Sequence, residues 1–377
     1  MNNSLLDLRS IYIPNGIGIF ILLLLFYTSR TMIARKRIED KIYTFMVFGV
    51  MGACFMEAAS FTVDGKLFPG AQALNYITNT YLYLINLLIP FAVLVYIDLG
   101  LYANINRIWK HYKPQIFIGI AMYVITLINF FVPIAYYITP ENVYERRPLS
   151  YVYYIVILFY CVTAIFTTRR YEKENGAKAF FSVNVFLIPI VIGAGLQFAF
   201  YGVSLAWLSA ALGLVGLYMM QQNEVAYLDS LVGIYNRQYL NYILSAWINR
   251  GFTFTGIMLD IDHFKHINDE FGHSEGDHAL QIVADILKKN CGDHEWAFRF
   301  AGDEFIILKR ADSTDALDSY ITKVIHQLEG QNSHERPYQI QLSYGTSFFD
   351  HSDIDSFMKE MDEKMYQMKM EHHRAGQ

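Results

Sequence analysis

The chain begins with long apolar runs and ends with short alternating ones. Seven stretches, about 11–29, 42–63, 73–100, 116–138, 150–168, 179–201 and 203–221, carry almost no charge. Each is near the roughly 20 residues that a helix needs to cross hydrocarbon. The last two are separated by a turn near Gly202, so one long kinked span is the competing reading. From residue 229 the pattern shortens. Residues 254–260 form an apolar run ending in an acid, which predicts a strand. Leu280, Ile282, Val283, Ile286 and Leu287 fall at helical spacing within 278–289. Residues 297–300 and 305–308 predict short strands flanking Ala301-Gly302-Asp303-Glu304, a hairpin. A helix over 315–328, a strand over 338–348 and a helix over 353–372 follow. Strands interleaved with helices predict an α/β fold around one central sheet.

Charge sharpens this division. Only 17% of the residues are charged and 54% are hydrophobic, against about 25% charged in ordinary soluble proteins. The average describes neither half. Residues 1–220 hold 16 basic and 10 acidic residues, and residues 221–377 hold 14 and 25. The first part has a membrane composition, and the second is an acidic soluble domain. Its negative balance argues against a nucleic-acid partner, which would need a basic face. The basic residues of the first part are also sorted. Arg30, Arg35, Lys36, Arg37 and Lys41 follow span one, Arg107, Lys110 and Lys113 follow span three, and Arg169, Arg170, Lys173 and Lys178 follow span five. The opposite side has only Arg9, Lys66, Arg146 and Arg147. Such sorting places the N-terminus outside and residue 222 onward in the cytoplasm. The first span lacks a basic leader and a cleavage site, so it reads as a retained helix. Cys54, Cys161 and Cys291 are far apart and read as free thiols.

Few polar groups interrupt the spans. Glu57 lies deep in span two, where a carboxylate is costly. It reads either as a ligand or proton contact in a helix-lined pocket, or as a partnered group that fixes helix packing. Asn75, Asn79 and Asn86 share one helical face, and can line a cavity or bond a neighbouring helix. Asp98 lies near a span end, where interfacial solvation would suffice. The external loops are short, about ten residues each. Any external signal must therefore be small, lipidic or read between helices.

Chemistry gathers in the second part. Asp260 ends a buried strand, and Asp303 and Glu304 sit at a hairpin tip. Strand ends and neighbouring hairpins can bring carboxylates together, and hard oxygen ligands suit Mg²⁺. Paired Mg²⁺ ions suit phosphoryl or nucleotidyl transfer. Gly302 lets the backbone turn and a phosphate approach. Taken singly, each acid is more often a solvated turn residue, and it is their ordered combination that points to a metal site.

The residues around these acids resemble the GGDEF domains, the diguanylate cyclases. The run Arg299-Phe300-Ala301-Gly302-Asp303-Glu304-Phe305 looks like the family signature. Asp260-Ile261-Asp262-His263-Phe264-Lys265 with Asn268-Asp269, continuing through Gly272-His273 to Gly276-Asp277, resembles the stretch upstream of it. Asp229 through Leu231, Gly233, Asn236 and Arg237 resembles the entry motif, and Ser343-Tyr344-Gly345 and Asp362, Tyr366 and Lys369 resemble later landmarks. The resemblance covers about 229–374. It implies a nucleotidyl-cyclase, palm-like α/β domain with a central, mainly antiparallel sheet. The whole then reads as a multi-domain protein: an all-α seven-helix transmembrane bundle over 1–221, a helical linker over 222–229 and a cyclase domain over 230–377. The membrane part is similar in layout to the sensing regions of bacterial signalling proteins. The location implied is the bacterial cytoplasmic membrane.

The resemblance also implies roles. Asp260, Asp303 and the carbonyl of Ile261 would hold Mg²⁺, two ions per site with Mn²⁺ as the alternative, and Glu304 would complete the metal and catalytic group. Asn268 and Asp277 would read guanine, whose N1–H and N2–H a carboxylate can accept together. Lys265 and Lys369 would meet triphosphate oxygens, with amides near His263 and Phe264. Two GTP molecules would become cyclic di-GMP and two pyrophosphates across a homodimer. Departures qualify the match. The first signature glycine is Ala301. The late basic position reads His373, with Arg374 one place off. Gly292 and Glu295 stand where the family's product-inhibition motif has Arg and Asp, so no product site is expected there. The alternative is an inactive domain that binds GTP as a receptor. A transporter with a regulatory tail is disfavoured, since no internal repeat is evident. Glu57 and Asn79 are the candidate sensor residues.

Overall fold

The computed structural model describes residues 8–28, 38–102, 104–175, 183–199, 203–292, 295–311, 313–331, 337–351 and 353–375. The turn near Gly202 and the basic residues Arg30, Arg35, Lys36, Arg37 and Lys178 lie outside them. The chain divides into two compact units: Met1–Tyr171 with Ala179–Gln221, and Glu172–Lys178 with Gln222–Gln377.

The first unit is built on α1 (Arg9–Thr28), α2 (Ile38–Val63), α3 (Ala71–Tyr102), the short α4 (Ile105–His111), α5 (Lys113–Ile128), α6 (Ser150–Asn175), α7 (Val183–Ala199) and α8 (Ala206–Ala226). Among the described residues four helices, α1, α2, α3 and α6, are long and apolar enough to cross a membrane, not the seven expected. At 1.5 Å per residue, the 16 residues of α5 span about 24 Å, short of the roughly 30 Å hydrocarbon core. Helix α8 has 21 residues, but Gln221, Gln222 and Asn223 dilute its apolar run.

The fourth predicted span ends early for a visible reason. Asn129 accepts hydrogen bonds from the backbone N–H groups of Ala135 and Tyr136 at 2.8 and 3.2 Å and donates to the Tyr136 carbonyl at 3.0 Å. The chain after Ile128 thus becomes a loop and a small hairpin, β1 (Tyr136–Ile138) against β2 (Tyr144–Arg146). A loop group and a group on α2 satisfy Asn75 and Asn79 of the polar stripe on α3. Asn75 donates to Asn142 Oδ1 at 3.2 Å, and Asn79 donates to Ser60 Oγ at 3.0 Å. Asp98 is not solvated as expected. It is fully buried, and accepts from Arg107 Nε at 3.0 Å and Tyr112 Oη at 2.6 Å. Burying that carboxylate is tolerable because it is paired.

The second unit is an α/β sandwich. Its strands are β3 (Tyr235–Asn236), β4 (Phe254–Ile261), β5 (Glu295–Ala301), β6 (Glu304–Lys309) and β7 (Leu342–Phe349), in the order β3-β5-β6-β4-β7. The sheet is mixed: β3 runs parallel to β5, and the other neighbours are antiparallel. Strand β4 is buried along its whole length, as a central strand between two helical layers must be. Side chains alternate across it. Ile257, Leu259 and Ile261 pack in the core with α11 (His273–Asn290) and α12 (Asp318–Gln331). Phe254 faces the other way, against Trp247 of α9 (Arg237–Asn249) and Phe357 of α13 (Ile354–Ala375). Each such fully buried side chain contributes about 1.5–3 kcal/mol. The remaining short helix is α10 (Phe264–Phe271).

Glycines let α13 lie close on this sheet. A Cβ on Gly345 of β7 would stand 2.1 Å from the Met361 carbonyl oxygen, and one on Gly256 of β4 would stand 2.8 Å from Met361 Sδ and Phe357 Cζ. The late landmark glycine is therefore a packing requirement. It fixes the helix that carries Lys369.

Candidate active site

Asp260 is the last residue but one of β4 and pairs in register with Glu304, the first residue of β6, and with Ser343 of β7. The β5–β6 hairpin turns through Gly302, at φ +43°, so Asp303 and Glu304 arrive beside the strand end. Ala301 needs no such freedom. It pairs with Glu304, and its φ is not positive. A bulge between Arg299 and Ala301 turns Phe300 out, where Arg237 covers its ring at 4.5 Å. Arg299 Nε donates to the Gly302 carbonyl at 3.0 Å, and its Nη1 pairs with Asp229 at 3.0 Å. The entry motif thus braces the signature hairpin. Asp229 also accepts from the amides of Leu231 and Val232.

The carboxylates feel one another. Burial raises Asp260 above the usual range, and the charges of Asp303 and Asp262 add to this against Lys369. Burial likewise raises Glu304, with Asp260, Asp303 and Asp362 adding to it. Lys369 Nζ donates to Asp260 Oδ1 at 2.6 Å. Burial works to lower Lys369, but the bond to Asp260 and the nearby acids outweigh it and hold the ammonium above its usual range. Several hard oxygen donors thus face a single lysine, and such a donor set fits a Mg²⁺-class ion. As the side chains stand, no three such groups among the described residues form a ready-made metal cluster; Lys369 occupies Asp260 instead.

The remaining candidates lie around this centre. Ile261 follows Asp260 in β4 with its side chain fully buried. His263 adopts a left-handed backbone, φ +55°, at the start of α10, and its ring stacks on His373 at 4.3 Å. Phe264 is half-buried, and Lys265 is exposed on the same short helix. Asn268 ends one turn further on, and its Oδ1 lies 3.3 Å from His273 Nδ1. A Cβ on Gly276 would stand 2.1 Å from Asn268 Oδ1, so that glycine makes room for the amide. Asp277 is exposed at the start of the second turn of α11, next to Gly276.

Two features carried no assigned role in the sequence reading. Asp262 is buried and accepts from Ser343 Oγ at 2.6 Å, with its other oxygen 2.6 Å from His372 Nδ1. It ties α13 to the sheet and is the structural member of its motif. Glu295 accepts from the Gly292 amide at 2.7 Å and pairs with Lys309 at 2.7 Å. Both had visible letters, but only packing distinguishes a bracing acid from a ligand.

Residues 226–375 match the family model of the diguanylate cyclase, GGDEF domain. That stretch is a GGDEF domain. Diguanylate cyclase DgcP of Pseudomonas aeruginosa is 31% identical over 166 residues, 42% of this chain and 24% of that protein. Cyclic di-GMP phosphodiesterase NbdA of the same organism is 38% identical over 102 residues, 26% of this chain and 13% of that protein. The chain spans about a third or less of the length of the curated relatives it matches. A crystal structure of the coiled coil and GGDEF domain of DgcB from Caulobacter crescentus, in complex with c-di-GMP, is 21% identical with a TM-score of 0.40, covering 48% of this chain and 94% of that one. Through the GGDEF domain the chain is homologous to diguanylate cyclases.

Proposed function

We propose that the protein is a membrane-bound diguanylate cyclase that makes cyclic di-GMP from two GTP molecules. The observation that carries this reading is the hairpin bearing Asp303 and Glu304, held against Asp260 inside a matched GGDEF domain. In this reading residues 1–221 are the multi-pass sensing part, 222–229 the linker and 230–377 the cyclase, which faces the cytoplasm where GTP is available. The linker is short: α8 ends at Ala226, whose carbonyl accepts from Asn236 Nδ2 at 2.8 Å.

Asp260, Asp303, Glu304 and the Ile261 carbonyl would hold Mg²⁺ or Mn²⁺, which supplies charge neutralisation for the phosphates and lowers the pKa of an attacking hydroxyl. Asp277 and Asn268 accept from and orient the guanine edge. Lys265 and Lys369 meet triphosphate oxygens, with His373 and the amides near His263 and Phe264 beside them. To do so, Lys369 must leave Asp260. Gly302 presents bare backbone to the substrate. The 3′-hydroxyl of one GTP attacks the α-phosphorus of the other and pyrophosphate leaves; the second nucleotide's 3′-hydroxyl then attacks the first nucleotide's α-phosphorus, and a second pyrophosphate leaves. Each domain holds one GTP, so a homodimer must align the two, and the acceleration comes from positioning and electrostatics.

An inactive, GTP-binding domain is the second reading, and Ala301 is the observation in its favour. Its ordinary backbone argues that the methyl leaves the hairpin unstrained. Purified protein with GTP and Mg²⁺ separates the two. Cyclic di-GMP and pyrophosphate support the cyclase, while retained GTP without product from a verified dimer supports the receptor.

A further inference from the structure

The membrane unit contains a cavity of about 630 Å³, within the range of small-molecule sites. Glu57 lines it and is 9% exposed. Its Oε2 accepts hydrogen bonds from Asn15 Nδ2 at 2.8 Å and from Ser204 Oγ. Among the described residues it forms no ion pair with a basic side chain. The other charged groups in the wall are Asp64 and Arg146. Asp64 is already engaged by Asn75 and by the Tyr144 amide, at 3.3 and 2.7 Å. Arg146 is exposed, with its guanidinium over the Tyr154 ring at 5.6 Å. Ser150 also lines the cavity, is 1% exposed and lies beside the Tyr83 hydroxyl. Tyr83, Tyr153 and Trp207 supply aromatic wall.

A buried carboxyl without a counter-ion is costly, and a ligand cation supplies the missing charge. Aromatic rings attract ammonium groups by their electron-rich faces. An anionic ligand meets a like charge at Glu57. We propose that this cavity binds a small organic amine, with its ammonium on Glu57 among the aromatic rings. The inference rests on the sensing-cyclase reading for its meaning, since occupancy would be the input, but binding itself needs no cyclase activity.

The test is a calorimetric titration of the full chain in phosphatidylcholine nanodiscs. The probes are phenethylamine, its neutral analogue 2-phenylethanol and the anion phenylacetate, with butylamine and a quaternary alkylammonium to widen the amine class. An amine is expected to bind at least about tenfold more tightly than the alcohol, with phenylacetate weaker still. Glu57→Gln keeps an acceptor for Asn15 and Ser204, and is expected to reduce the amine to the alcohol's affinity. Ala206→Phe, which fills the cavity from its wall, is expected to abolish binding. Saturation by none of the amines at about 10 mM, equal affinity for amine and alcohol, preference for the acid, or amine binding unmoved by both variants would each overturn the proposal. A silent cyclase domain leaves this titration unaffected, so the two readings fail separately.

Discussion

Gly276 and Gly302 show how single residues set this site. At Gly276 a methyl group would collide with the Asn268 amide. Gly276→Ala is therefore expected to raise the KM for GTP by about tenfold with a smaller change in kcat, because a displaced base-reading group weakens binding more than chemistry. Steady-state kinetics with GTP check this. Gly302 has open space around it but a positive φ. Gly302→Ala is expected to destabilise the domain by about 1 kcal/mol, measured by denaturant unfolding. Ala301→Gly relieves no strained φ, and is expected to leave the cyclase rate within about threefold, since nothing in the hairpin geometry requires glycine there.

At the scale of elements, α13 is the part on which the site depends. It carries Lys369 and His373, and it lies on β7 and β4 only because Gly345 and Gly256 lack side chains. Gly345→Ala is expected to cost roughly 1–3 kcal/mol through overpacking, and to lower cyclase activity by more than the loss of folded protein explains. Thermal denaturation alongside kinetics separates the two effects. The strands that bear Asp260, Asp303 and Glu304 were legible in the sequence, because an apolar run ending in acid and a turn between short strands mark them, whereas the acids stood out only in combination. The bracing roles were not. Whether Asp262 serves Ser343 and His372 or a metal depends on how a distant helix packs, and spacing along the chain does not report that. The short extent of α5 was not legible for a similar reason. Its apolar run continues to residue 138, but Asn129 bonds the following loop and ends the helix at Ile128.

For the whole molecule, charge links stability, metal and pH. Burial and mutual repulsion raise Asp260 and Glu304. The folded chain thus binds these protons more tightly than the unfolded chain does. Stability of the metal-free domain should fall as pH rises from the ordinary carboxylate range through the raised folded values, and remain lower above them. An ion held by these carboxylates offsets that loss. Millimolar Mg²⁺ is therefore expected to raise the melting temperature by several degrees near pH 8 and by little near pH 5, with the gain absent in Asp303→Ala. An equal gain at both pH values would count against the carboxylate cluster as the binding site. Ahead of this domain, four helices among the described residues are long and apolar enough to cross a membrane, and the difference in charge content between the two parts of the chain made that division readable before any packing was known.

The most direct test of the central claim is the initial rate of cyclic di-GMP formation by the full chain in nanodiscs. Wild type and Asp303→Ala would be compared at equal, verified dimer content with saturating GTP and Mg²⁺. Wild type should release two pyrophosphates per cyclic di-GMP. Asp303→Ala should fall by at least about 100-fold, the scale of losing one preorganised electrostatic group, while remaining folded. Wild-type protein that binds GTP yet yields no product, or a variant as active as wild type, would contradict the account.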